Sequence, residues 1–275
     1  MVNDPAEVIA KRRLRRRLTF WRVAAIIGFA GVALTLASRY ENGGFSDYIG
    51  RLEVSGIILN DTDRDEALRE TVKQKALKAL IVEIESPGGT FVGGEVLFKG
   101  LREVSKHKPV VAILGSMATS AAYMVALGSD RVYARNGTIT GSIGVIMQTA
   151  DIRELLGKIG IKPETIKSGP LKSQPNPVEL FTPAARESTE EVINDLFYLF
   201  VDMVGQRRRM ARDSVISVAD GRVFSGRQAL ANGLIDEIGG IAEARRWLAD
   251  NYQIGRDIPL KDLKVGDKAF SWRNF

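Results

Sequence analysis

From about residue 52 onward, short apolar runs alternate with charged segments long enough for helices, and this alternation constrains the fold more than any other feature of the chain. Residues 52–59 read as a strand, 63–78 as a charged helix and 79–84 as a buried strand. Residues 95–106 follow as helix, 109–114 as strand, 120–127 as helix and 131–134 as strand. A succession of crossover units of this kind predicts an α/β domain. Further on, Thr182 as N-cap and Pro183 at the first helical position predict a long helix that runs to about Arg209. Its middle, residues 196–201, is apolar around the whole circumference, so it must be covered either by its own core or by another subunit. The closing Arg207, Arg208 and Arg209 suit the negative end of the helix dipole.

Ahead of the alternation the sequence is of another kind. Residues 23–37 carry no charge and only one hydroxyl, Thr35. A bilayer asks for about 20 residues, and a span over 18–38 is reached by counting the flanks, where Trp21 and Tyr40 suit the interface and Arg22 can snorkel. Residues 1–22 hold seven basic side chains less the two acidic ones, Asp4 and Glu7, a net of +5 out of the total of +6. By the positive-inside rule residues 1–17 stay in the cytoplasm and the rest is exported. A cleaved signal peptide is the competing reading, with Thr35-Leu36-Ala37 before the cut; the length of the basic region favours a retained anchor. The remaining 253 residues carry only +1, so the main domain has no electrostatic case for nucleic acid. The expected plan is a basic segment 1–17, an anchor 18–38, a linker 39–50, a main domain 51–252 and a tail 253–275. Within that tail Phe270, Trp272 and Phe275 stand among charges, and a docking segment or disorder is expected.

The rarer residues narrow the chemistry. With no cysteine and one histidine, His107 between Lys106 and Lys108, the chain excludes disulfides, thiol nucleophiles, cysteine-built zinc sites and multi-histidine metal centres. A hydrolase of this composition must find its base elsewhere. Three small-residue turns follow strands. Ser86-Pro87-Gly88-Gly89, with Gly93-Gly94 soon after, allows positive φ and close backbone approach, but it has neither the lysine of a P-loop nor GxGxxG spacing. The turn over 115–123 puts Ser120 at a helix start, where it serves either as an N-cap or as a nucleophile beside free N–H groups. The third region, 140–145 together with 166–172, offers a lysine with Ser142 or Ser168 able to orient its amine. Burial lowers a lysine's pKa and lets it replace histidine as a base, which leaves a Ser–Lys dyad open without selecting it.

Five segments occur in a telling order: Glu85-Ser86-Pro87-Gly88-Gly89, Gly115-Ser116-Met117-Ala118-Thr119-Ser120, Thr140-Gly141-Ser142-Ile143-Gly144-Val145, Ile166-Lys167-Ser168-Gly169 with Lys172, and Ala219-Asp220-Gly221-Arg222-Val223-Phe224 with Gly226. Together they resemble the signal peptide peptidase A family, serine peptidases with a Ser–Lys dyad, over residues 52 to about 240, and the anchor is similar as well. The resemblance implies Ser120 as nucleophile, Lys172 as general base, an oxyanion hole from the backbone N–H groups of Gly89 and Ala121, Ser142 as the hydroxyl that orients the lysine, and no metal or cofactor. It also implies a crotonase/Clp-protease-like α/β fold, a homo-oligomeric ring, and a peptidase domain on the outer side of a bacterial inner membrane that takes apolar signal-peptide remnants in extended form. Two positions depart from the family pattern: Ala121-Ala122 where two glycines are common, and Glu85 where Asn or Asp is common. The rivals are an inactive membrane-tethered scaffold, opposed by the presence of both Ser120 and Lys172, and a crotonase-type acyl-CoA enzyme, opposed by the anchor.

Overall fold

In the computed structural model of the protein, residues 5–41 and 47–263 are described. The chain divides into two compact units, Met1–Asp47 with Gln74–Ala76, and Tyr48–Lys73 with Leu77–Phe275. In the first, a continuous helix α1 covers Pro5–Glu41. Its stretch Arg16–Leu34 is long and apolar enough to cross a membrane, and none of it is buried within the protein. Phe20, Trp21, Ile26, Ile27, Phe29 and Leu34 all lie exposed, a display compatible with a lipid environment. The expected span over 18–38 falls inside this helix; Tyr40 is in it too, but its side chain lies outside the described ones.

The second unit is an α/β layer structure, as the alternation predicts. In chain order its elements are β1 (Tyr48–Ile58), α2 (Thr62–Lys73), β2 (Leu77–Gly89), α3 (Phe91–Ser105), β3 (Val110–Thr119), α4 (Ala121–Ala126), β4 (Arg131–Ala134), β5 (Ile139–Gly141) and α5 (Arg153–Lys158). There follow α6 (Pro183–Arg208), α7 (Arg212–Ile216), β6 (Val223–Ser225), α8 (Gly226–Ala231), β7 (Glu237–Ile238), α9 (Ile241–Tyr252) and β8 (Leu260–Asp262). One sheet runs in the order β6-β5-β3-β2-β1-β8, with β4 against β3 and β7 against β4. All of these pairs are parallel except β5 with β6.

The alternation within β2 sets the two faces. Leu80, Val82 and Ile84 join a core with Leu97, Leu101 and Val104 of α3, Met124 of α4 and Phe200 and Val204 of α6. Ala79 and Ile81 point the other way, onto Val111, Tyr133 and Ala244 and Leu248 of α9. Each fully buried Leu, Ile or Val of this kind is worth about 1.5–3 kcal/mol, so the central strands are apolar on both sides. The long helix begins as predicted, with Thr182 Oγ1 accepting the Ala185 N–H at 3.2 Å. Its apolar middle is only partly covered by its own core: Phe200 and Val201 are buried, whereas Tyr198 and Leu199 are exposed. The arginines at its end do more than meet a dipole. Arg207 donates to the carbonyls of Leu127 and Ser129, both at 2.8 Å, and Arg208 holds Gly233 O at 2.7 Å and grips the Asp236 carboxylate in a bidentate pair. Arg207 thereby satisfies carbonyls past the end of α4, locking the helix that Ser120 precedes.

Both edges of the main domain differ from expectation. Tyr48–Gly50, expected in the linker, already pair with β2. Leu260–Asp262, expected in a docking or disordered tail, form β8 parallel to Ile49–Arg51. Phe270, Trp272 and Phe275 lie outside the described residues.

Candidate active site

The site is built where β3 changes partner. Its first half, from Val111 to Leu114, pairs with β4, and its second half, from Met117 to Thr119, pairs with β5. On the other side Leu114 faces Ile84 while Ala118 faces Ser86, so β3 carries an outward bulge between them. Glu85 occupies that bulge: its carboxylate accepts the N–H of Ser116 at 2.6 Å and of Met117 at 3.1 Å. The departure from Asn or Asp at this position thus supplies a longer acceptor that satisfies the strand where its ladder opens. No sequence pattern points to this role.

β3 ends in a sharp turn at Ser120. Its backbone has φ 55 and ψ −122, a conformation that costs a non-glycine residue about 1–3 kcal/mol. A strained serine between a strand and a buried helix is also how the nucleophile elbow of α/β-hydrolases exposes its hydroxyl. The N-cap alternative is not what is observed, because the Ser120 side chain makes no capping hydrogen bond. The turn is held from three sides. Ser120 N–H donates to Gly141 O at 2.9 Å, Thr119 Oγ1 donates to Pro87 O at 2.9 Å, and Thr140 Oγ1 donates to Ala118 O at 2.7 Å. Behind it α4 is wholly buried, and the Tyr123 hydroxyl donates to Leu234 O at 2.7 Å. Burial raises the pKa of that phenol, which keeps it neutral as a donor.

The glycine turn lies directly against the elbow. Gly88 has φ 114, and a Cβ added there would stand 3.0 Å from Ser120 Cβ and 3.0 Å from Thr119 O. Gly88 N–H donates to Ser86 Oγ at 3.1 Å, and Ser86 Oγ donates to Gly56 O at 2.5 Å, so the turn is stitched to β1 as well. The neighbouring Gly94 serves packing: a Cβ there would meet Ala121 Cβ and Met124 Sδ at 3.0 Å. Ser142, with φ 49, follows Gly141, and its N–H donates to Arg222 O at 2.9 Å.

These pieces open on one cavity of about 900 Å³. Gly89, Ser120, Ala121 and Ser142 all line it, along with an apolar wall from Ile57, Met124, Val145, Phe197 and Phe200. Four of the five site residues expected from the sequence therefore meet. The fifth does not. Lys172 is exposed and is absent from the cavity lining. Among the described residues that line the cavity, the one ionisable side chain is Asp220, and Arg222 engages its carboxylate through Nε at 2.8 Å. His107, exposed and 3.8 Å from Glu103, does not line the cavity. Among its described lining residues the cavity of a single chain thus holds the Ser120 hydroxyl but neither a lysine nor a histidine.

Residues 102–255 match the family model for peptidase family S49. The chain is 38% identical over 203 residues to a Synechocystis sp. protein named as a protease, covering 73% of each. It is 31% identical over 222 residues to the chloroplastic serine protease SPPA of Arabidopsis thaliana and 28% identical over 255 residues to protease 4 of Haemophilus influenzae. It covers 32% and 41% of those two proteins, so it spans less than half the length of either. Two solved structures of the 1510-N membrane-bound stomatin-specific protease, one of them with a substrate peptide, are 15% and 17% identical, each with a TM-score of 0.50 over 81% of this chain and 100% and 94% of theirs. At that identity the likeness is one of fold.

Proposed function

The chain belongs to peptidase family S49, and from that premise we propose that it is a membrane-anchored serine endopeptidase with Ser120 as nucleophile and Lys172 as general base. The observation that carries this reading is the Ser120 backbone, strained and free of any capping duty at the mouth of an apolar cavity. In the reaction the neutral Lys172 amine takes the Ser120 proton as Oγ attacks the scissile carbonyl carbon. The N–H groups of Gly89 and Ala121 stabilise the oxyanion. As the C–N bond breaks, the lysine ammonium protonates the departing amine, and water deprotonated by the same amine then cleaves the acyl ester. Ser142 orients that amine through its hydroxyl.

The base comes from a second copy of the chain. Lys172 is carried on the segment between β5 and α6, which displays Ile146, Leu155, Ile159, Ile161 and Ile166 to solvent, Ile166 completely. An apolar surface of this extent marks an interface. Burying it against a neighbour in a ring brings Lys172 to the cavity that lacks a base. The apolar wall suits extended, apolar peptide, and with α1 as anchor and residues 1–17 in the cytoplasm the substrates are signal-peptide remnants at the outer face of the inner membrane.

An exposed side chain of a monomer tolerates substitution to within about 0.5 kcal/mol. Ile166→Asp and Ile159→Asp in the detergent-solubilised full chain are instead expected to convert the assembly to monomers in sedimentation velocity and to abolish peptide hydrolysis with it. Unchanged sedimentation with full activity would remove this segment from the interface.

A further inference from the structure

Residues 159–182 contain neither helix nor strand, so side chains must fix their course. They do so at Glu179. Its Oε2 accepts from Lys167 Nζ, from Gln174 Nε2 at 2.5 Å and from Asn176 Nδ2 at 3.0 Å, and the Thr165 side chain bonds the same carboxylate. Asn176 extends the knot, donating to Ser173 O at 2.8 Å and accepting the Val178 N–H at 3.1 Å. The decisive bond is a second one from Lys167, whose Nζ donates to the backbone carbonyl of Lys172 at 3.2 Å. The Lys167 and Glu179 side chains are only 15% and 19% exposed in a segment that is otherwise largely open to solvent. Lys172 itself keeps its side chain outside the knot.

Drawing an ion pair out of water gains little stability by itself, and such pairs are best attested where they specify one arrangement over others. Here the arrangement specified is the backbone that presents a lysine. The hydrogen bond from Lys167, followed by those from Asn176 and Thr165, lowers the Glu179 carboxyl to about 2. A depressed pKa of this kind gives a stabilisation that is fully present above the ordinary glutamate value of about 4.3 and lost only as pH falls toward the folded value. The carboxylate that gathers the knot is therefore ionised throughout the neutral range.

We propose that Glu179 and Lys167 are positioning residues for the general base: Glu179 gathers the loop, and Lys167, pinned by Glu179, holds the carbonyl of Lys172 so that its amine is delivered to the Ser120 cavity in one geometry. This rests on Lys172 being the base. The test compares Glu179→Ala, Glu179→Gln, Lys167→Met and Lys172→Ala in the detergent-solubilised full chain, with sedimentation and the kcat and KM for an apolar peptide ester as readouts. A misplaced catalytic group costs on the order of 100-fold, so Glu179→Ala is expected to lose about that in kcat while KM stays within about twofold and assembly is retained. Lys167→Met should lose kcat in the same pattern, and Glu179→Gln, which keeps an acceptor oxygen, should recover part of it. Wild-type kcat in Glu179→Ala beside an inactive Lys172→Ala would overturn the positioning role alone. An active Lys172→Ala would instead overturn the assignment of the base. If Glu179→Ala fails to assemble, Lys167→Met decides, because Glu179 keeps its amide donors there; wild-type kcat in that variant overturns the proposal.

Discussion

Alanine at Ser120 and alanine at Lys172 are each expected to lower kcat/KM for an apolar peptide ester by at least about 10⁴-fold, with the double variant no worse than either single one, as for residues that act as a unit. Both chains should remain folded. The Ser120 hydroxyl caps nothing, alanine accepts the same strained φ at no greater cost than serine, and the Lys172 side chain is already exposed. Loss of catalysis without loss of melting temperature or assembly is thus the signature of chemistry and not of structure. Hydrolysis rates and thermal unfolding of the three proteins check it, and substantial activity in either single variant would rule out the dyad.

The second large effect is expected at Gly88. Alanine there must take φ near 114, which costs about 1–3 kcal/mol, and its Cβ would press on both Ser120 Cβ and Thr119 O at 3.0 Å. Neither contact can yield cheaply, since one is the carbon that carries the proposed nucleophile and the other is backbone. Gly88→Ala should therefore unfold at lower temperature and, because the elbow shifts, lose on the order of 100-fold in kcat. A variant that melts lower but turns over normally would show that the glycine turn supports the fold without setting the nucleophile.

Much of this was legible from residue patterns. β4 at Arg131–Ala134 and the capped start of α6 at Thr182 and Pro183 fall where apolar runs and cap chemistry put them. β2 runs past the expected 79–84 because Gly88 and Gly89, which look like punctuation, pair with Ile57 and Ile58 as the strand continues. β8 escaped for the opposite reason: three residues carry no periodicity, and only the open edge of β1 makes Leu260–Asp262 a strand. At the site, the motifs located Gly89, Ser120, Ala121 and Ser142, which topology then gathers around one cavity. They said nothing of the β3 bulge filled by Glu85, nor of Glu179, because both roles depend on partners distant in sequence or on a loop without periodic signal. Where Lys172 lies is likewise a matter of tertiary placement, and no spacing of 52 residues encodes it.

In the proposed assembly one chain's Ser120 is served by another chain's Lys172. Ser120→Ala and Lys172→Ala chains, each inactive alone, should be co-expressed, purified as mixed assemblies and assayed on the peptide ester. With random mixing in a symmetric ring, about a quarter of the sites pair an intact serine with an intact neighbouring lysine, so activity near a quarter of wild type is predicted. Mixed assemblies no more active than the single variants would contradict the account and place both groups in one chain.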